Sequence, residues 1–216
     1  MFSDKNFKDN NLIWPLPTFK GKTSKKTSLG VLASGNGSNF EALIEACNQN
    51  IINASIDLLI VNKKDCYARE RAYRNNINTI FLDHKLFNSR EEYDLEISRC
   101  FLDSNIEAII MAGWMRIVSK KLIECYQGRL INIHPSLLPS FPGINAIQQA
   151  IDYGVKLTGC TVHIVTEKVD SGPILIQACV PVDTDDSHSS LLKKIQDMEH
   201  KILPIGVGIA LEEWEK

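Results

Sequence analysis

Short apolar runs alternate with amphipathic stretches along most of this chain. Leu29–Ala33, Ile56–Val61, Thr79–Leu82, Ala108–Met111 and Leu130–His134 are runs of four to six residues rich in Val, Ile and Leu, the length and composition of buried strands. Between them, Phe40–Asn48, Asp65–Arg74 and Arg90–Leu102 space their apolar residues as the buried stripe of a helix does. Ser119 is placed to cap a further short helix ending at Cys125. Continuous apolar strands alternating with such helices predict an α/β fold: a Rossmann-like, open, mostly parallel sheet covered on both faces.

The last third breaks the rhythm. Thr158–Val165 and Ile174–Val182 read as strands joined only by TEKVDSGP, too short a link for a parallel crossover, so they form an antiparallel C-terminal pair. A long C-terminal helix from Ser187 to Ala210 follows, and Pro204 inside it should kink or interrupt it. Residues 1–28 show little periodicity. They read as a disordered tail ahead of a single domain at 29–216, or as an apolar patch docking through Ile13 and Trp14. A targeting peptide fits least, because the segment has no arginine, carries Asp4 and Asp9, and lacks an apolar core.

Composition narrows the class of function. A chain of 216 residues that is 44% hydrophobic and 23% charged matches one globular domain with a sizeable core. Its net charge of −2 offers no basic footprint for nucleic acid, and no apolar run is long enough to span a membrane. The six cysteines, at 47, 66, 100, 125, 160 and 179, form no C-x-x-C pair and have no histidine at metal-ligand spacing. That pattern points to a reducing, cytoplasmic setting without disulfides or structural metal. Nothing separates a monomer from a homodimer.

Candidate chemistry lies at strand ends. SGNGSN at 34–39 joins a strand to a helix, where backbone N–H groups and the helix dipole favour an anion. Gly35 and Gly37 allow positive φ and close approach, while Ser38 and Asn39 suit a helix start. A dinucleotide fingerprint would need glycine where Phe40 stands, so a tight capped turn and a phosphate site remain equally open. Asn132 and His134 are two apart on one strand and emerge on the same face. Pro135 ends that strand, leaving both groups near its carboxyl end, where open parallel sheets bind ligands. An amide and an imidazole side by side can donate to one oxyanion; a satisfied structural histidine is the competing account. Asp170 lies in the VDSGP loop, where an exposed turn carboxylate is the simpler reading. Brought to His134, it would favour imidazolium.

SGNGSN at 34–39, AGWMRIVS at 112–119, NIHPSLLPSFPG at 132–143 and VDSGPI at 169–174 stand in the order found in the folate-dependent formyltransferases. From about Leu29 to Glu213 the chain resembles that family, and most of all its branch acting on glycinamide ribonucleotide in purine biosynthesis. The resemblance implies transfer of a formyl group from 10-formyltetrahydrofolate, as cosubstrate, to the amine of glycinamide ribonucleotide, without a metal. Asn132, His134 and Asp170 match the catalytic set. Gly37, Ser38, Asn39 and Gln196 match positions at the substrate phosphate, and Glu199 one at its amine. Arg90, Met115, Arg116, Ile117 and Val118, with Asn132, match positions around the folate.

Without the resemblance, Met115 and Ile117 read as core and Glu199 as a solvated helix face. Some relatives carry histidines in the segment matching Asn145–Ile147, and this chain has none there. Residues 1–28 have no counterpart in the minimal enzyme. Two rival functions stay on the table. A formyltetrahydrofolate hydrolase resembles this pattern but carries an extra N-terminal regulatory domain. A non-catalytic phosphate-binding module would leave Asn132, His134 and Asp170 without a task.

Overall fold

A computed structural model defines the fold, described here for residues 13–15 and 23–216. In chain order the strands are β1 (Ile13–Trp14), β2 (Thr27–Ala33), β3 (Ala54–Val61), β4 (Asn78–Phe81), β5 (Ala108–Met111), β6 (Leu130–His134), β7 (Leu157–Ile164) and β8 (Ile174–Pro181). The helices are α1 (Ser38–Asn48), α2 (Ala68–Arg74), α3 (Arg90–Asp103), α4 (Lys120–Cys125), α5 (Ala146–Tyr153) and α6 (His188–Trp214). Among the described residues, these strands join one sheet in the order β1-β8-β7-β6-β5-β2-β3-β4. Strands β2 to β6 pair in parallel, and β7, β8 and β1 add an antiparallel edge.

Alternation along the strands sends side chains into two cores. Leu29, Val31 and Ala33 face a larger core shared with α1, α2, α5 and α6. Leu32, Leu58 and Ile60 face a second core with Tyr93, Ile97 and Phe101 of α3 and Leu122 of α4. Gly30 is required where α3 presses on β2, because a Cβ there would stand 2.3 Å from Phe101 Cε1. From β2 the chain winds outward through β3 and β4, then crosses to β5 on the other side of β2. That reversal opens a crevice at the carboxyl ends of β2 and β5.

The mostly parallel sheet, the antiparallel late strands and the long last helix follow the sequence pattern. Three details differ. Pro204 neither ends nor splits α6, which runs unbroken to Trp214; the helix packs along α1, β7 and β8, and that burial outweighs the missing N–H bond. The stretch Ala146–Tyr153, to which the sequence pattern gave no element, is a helix, α5, closed by Gly154 at φ 76°. The start drawn at Leu29 falls inside β2, which begins at Thr27 to pair with Ala54. Ile13 and Trp14 pair with Ala178 and Gln177 of β8, and Ile13 packs against the larger core. The remainder of the predicted tail, 1–12 and 16–22, lies outside the described residues.

Candidate active site

The crevice is walled by two loops that are bonded to each other. The Ser34 amide donates to the Gly113 carbonyl at 3.1 Å, and the Met115 amide donates to Ser34 Oγ at 3.0 Å. One side is the SGNGSN loop. Gly37 takes φ 76° and serves as the N-cap of α1, a conformation that costs glycine little. A Cβ at Gly37 would also lie 2.8 Å from Ala68 Cβ, so both backbone angle and space demand glycine there. The first helical bond runs from Glu41 N–H to the Gly37 carbonyl. Ser38, Asn39 and Phe40 therefore begin α1 with amides directed out of its N-terminus, as an anion site needs.

Asn39 and Glu199 are both buried, and Asn39 Nδ2 donates to Glu199 Oε2 at 2.9 Å. Burial pushes the Glu199 carboxyl up to about 7, against the opposing pull of the Asn39 hydrogen bond. Gln196 lies one turn earlier on α6 and is half-buried. Glu199 is thus no solvated helix face. It closes the glycine loop from the α6 side.

The other side carries Met115–Val118. Met115 and Ile117 are 76% and 57% exposed, so they form an apolar surface open to a ligand rather than core. Arg116 places its guanidinium 5.2 Å from the Tyr93 ring centroid, and Val118 packs in the second core. Arg90 begins α3 in an exposed position, 3.6 Å from Glu91. Buried Asp94 accepts from the Ser119 amide and so ties α3 to the end of this segment. Burial raises the Asp94 carboxyl, while Ser119 and the charges of Arg116 and Arg90 oppose the rise.

The polar cluster lies at the carboxyl end of β6. Asp170 Oδ2 is 3.4 Å from His134 Nδ1 and accepts from the Gly143 amide at 2.7 Å. The VDSGP turn explains how Asp170 arrives there. Gly172 lies so close to β7 that a Cβ would sit 1.8 Å from the Ile164 carbonyl oxygen, and Asp170 itself takes φ 49°, which aspartate tolerates better than most residues. Burial pushes the Asp170 carboxyl upward. The His163 hydrogen bond, the Gly143 amide and the charges of His134 and His163 outweigh it, leaving the group below its ordinary value.

His163 is a member of the cluster that the sequence reading missed. It pairs across from Asn132 in the antiparallel β6–β7 ladder. Its Nδ1 donates to the Ile164 carbonyl at 3.1 Å, and its Nε2 is 3.2 Å from Asn132 Nδ2 and 3.7 Å from Asp170 Oδ1. Two imidazoles therefore flank one carboxylate. Thr161 and His163 were visible as an i, i+2 pair within a strand, but nothing in the sequence sets the register that puts His163 beside Asn132.

His134 Nε2 donates to the Phe141 carbonyl at 2.9 Å, since a carbonyl can only accept. With Nδ1 3.4 Å from Asp170, both ring nitrogens face acceptors. The Nε2 side of His134 is thus engaged by the backbone of the loop that follows β6. That loop is pinned by Thr161, whose Oγ1 donates to the Ser136 carbonyl at 2.7 Å and accepts from the Leu138 amide at 3.1 Å. Gln177 Nε2 adds bonds of 2.9 Å to both the Leu138 carbonyl and Thr161 Oγ1.

Asn132, His134 and Asp170 are thus brought together, and Glu199 joins Gly37, Ser38 and Asn39 at the start of α1 through its bond to Asn39. Among the described residues, no group of three or more His, Cys, Asp or Glu could hold a metal ion. No helix among them is long and apolar enough to cross a membrane.

Comparison with known proteins adds independent findings. The sequence profile described as formyl transferase matches residues 27–207. The chain is 42% identical to the phosphoribosylglycinamide formyltransferase of Escherichia coli K12 over 178 residues, which is 82% of this chain and 84% of that protein. It is 43% identical over 185 residues, 86% of its length, to the human trifunctional purine biosynthetic protein adenosine-3, but spans only 18% of it. The match to the Drosophila melanogaster trifunctional protein spans 14% of that relative. The crystal structure of glycinamide ribonucleotide transformylase 1 from Symbiobacterium toebii superposes with a TM-score of 0.87 at 35% identity, covering 90% of this chain and 93% of that one.

Proposed function

The chain belongs to the formyl transferase family, and we propose that it transfers the formyl group of 10-formyltetrahydrofolate to the amine of glycinamide ribonucleotide, a step of purine biosynthesis. The observation that carries this reading is the meeting of Asn132, His134 and Asp170 at the carboxyl end of β6, with Asp170 Oδ2 3.4 Å from His134 Nδ1. The neighbouring α1 N-terminus suits the substrate phosphate, held by Gly37, Ser38, Asn39 and Gln196. Glu199 closes the same side toward the amine. The exposed apolar side chains of Met115 and Ile117, with Arg116, Val118 and Arg90, suit the folate.

In the proposed reaction the neutral amine nitrogen attacks the formyl carbon, forming a new C–N bond and a tetrahedral oxyanion. His134 donates from Nε2 to that oxyanion in place of the Phe141 carbonyl, and the second Asn132 N–H assists. Asp170 holds the imidazolium in place. The bond to N10 then breaks, and the proton lost by the amine is delivered to N10, leaving formylglycinamide ribonucleotide and tetrahydrofolate. Holding both reactants in one crevice makes the attack effectively intramolecular. Oxyanion donation of this kind supplies about 100- to 1,000-fold in rate.

The test is the absorbance of tetrahydrofolate production with and without glycinamide ribonucleotide. Product that requires the amine supports the transferase. Product without the amine would replace it with a hydrolase, and no product in either case would favour a binding module. His134→Ala should abolish most turnover while the protein stays folded; near-wild-type turnover in that variant would refute the role given to His134.

A further inference from the structure

Arg71 of α2 ties the glycine loop to α1 through all three of its guanidinium nitrogens. Nε donates to the Asn36 carbonyl at 2.9 Å, Nη2 donates to Asn36 Oδ1 at 2.9 Å, and Nη1 donates to Glu41 Oε2 of α1 at 2.6 Å. The Tyr67 ring lies against the guanidinium, 4.9 Å from its Cζ to the centroid. Two more contacts join α2 to the loop: the Ala68 amide donates to the Gly35 carbonyl at 3.2 Å, and Ala68 Cβ fills the space that a side chain at Gly37 would need. Asn36 is exposed and precedes the left-handed Gly37. Arg71 is the residue whose side chain binds both the carbonyl and the side chain of Asn36.

We propose that Arg71 is the positioning residue of the anion site, setting the aim of the Gly37, Ser38 and Asn39 amides without touching the anion. Three of its five N–H donors are bound to Asn36 and Glu41, which holds the guanidinium against the back of the loop, so it works through the loop. The geometry asks for arginine specifically. A planar fork can bridge one residue's carbonyl and amide oxygens while reaching a carboxylate on the next helix, and a lysine ammonium offers no such fork. Its charge also remains beside the loop, partly neutralised by Glu41, and adds to the field of the α1 dipole.

The inference rests on the proposed placement of a phosphate at this loop, and it is tested with inorganic phosphate as the probe, apart from formyl transfer. Binding is followed by titration calorimetry and by the backbone amide shifts of Gly37, Ser38 and Asn39. In Arg71→Lys, phosphate should bind about 10-fold or more weakly, given the loss of charge-assisted bidentate contacts. The KM for glycinamide ribonucleotide should rise in parallel, while kcat at saturation and the KM for the formyl donor change little. Asn36→Ala, on the exposed loop, removes one of the three acceptors and should give a smaller effect, about 3-fold. It keeps the test decisive if Arg71→Lys folds poorly.

A lowered melting temperature with unchanged phosphate affinity and unchanged KM would overturn the proposal, leaving Arg71 a purely structural tie. An equal rise in both KM values would do the same. If wild-type protein shifts the three amides with phosphate yet makes no formylated product, the functional reading fails and the role of Arg71 stands. If it makes product but phosphate leaves those amides unmoved, the role of Arg71 fails alone.

Discussion

Replacing Glu199 with glutamine separates the stability of the α1–α6 contact from the chemistry near it. Glu199 is 6% exposed, and burial raises its carboxyl from 4.5 to about 7. Because the folded state holds the proton more tightly than the unfolded chain does, stability falls as pH rises from 4.5 to 7 and is level above that window. Linkage makes the loss about 3 kcal/mol across it. The glutamine side chain would keep an acceptor for Asn39 Nδ2 but cannot ionise, so the effect of Glu199→Gln contains a constant offset and a part that grows with pH. Only the second part is diagnostic. For a chain of this size 1 kcal/mol moves the melting temperature by about 2–4 °C. The difference between Glu199→Gln and wild type should therefore move in the variant's favour by roughly 6–12 °C between pH 4.5 and 8. Circular-dichroism melts at half-unit pH steps, supported by urea midpoints, read it directly. A difference that stays constant across that range would show that Glu199 ionises normally and would refute the claim that its burial governs its charge.

Further outcomes follow from the β6–β7 cluster. Asp170→Asn should lower turnover by about 100-fold or more, the scale of a lost acid–base partner, in the tetrahydrofolate absorbance assay. The Asp170 carboxyl lies below its ordinary value, so its stabilising contribution is present above the unfolded value and lost as pH falls through the folded one; the variant should flatten the acid limb of stability against pH. His163→Gln should slow turnover by about 10-fold, less than Asp170→Asn, because Asp170 retains Gly143 and His134; a rate equal to wild type would remove His163 from the site. Gly172→Ala puts a methyl 1.8 Å from the Ile164 oxygen and should cost about 2 kcal/mol or more in urea unfolding, with turnover falling as Asp170 is displaced.

The parallel half of the fold was legible because each strand there is a local apolar run and each helix a local stripe. Ala108–Met111 and Leu130–His134 fall where the sequence puts them. The failures share one cause: the deciding contact is made by residues far away in sequence. Helix α5 is the exception: Ala146, Ile147 and Ala150 form a local apolar stripe, but it is eight residues long and set directly behind a proline-rich loop. Strand β1 has only two residues and exists through pairing with β8. Pro204 violates a local rule that burial of α6 overrides. At the site the same division holds. Asn132 and His134 share a face by strand periodicity alone, whereas Asp170 needed a family resemblance and His163 needed the ladder register. Glu199 read as solvated because its helix stripe gives no sign of the Asn39 side chain 160 residues away.

Those distant contacts couple the two walls of the crevice. Ser34 closes β2, begins the glycine loop, and binds both Gly113 and Met115 of the opposite loop. Its side chain is buried at 1% exposure, so the bond to the Met115 amide is shielded from water and holds its geometry. The same few residues at the switch point thus set the spacing between an anion-directed helix start and an apolar surface. A shift of the glycine loop at Asn36 would be carried to Met115 through Ser34, which makes the Arg71 clamp and the Asp94 tie two anchors of one crevice. Loosening either anchor should then affect first the reactant on its own side, and the reaction rate only as far as the Ser34 bridge gives way.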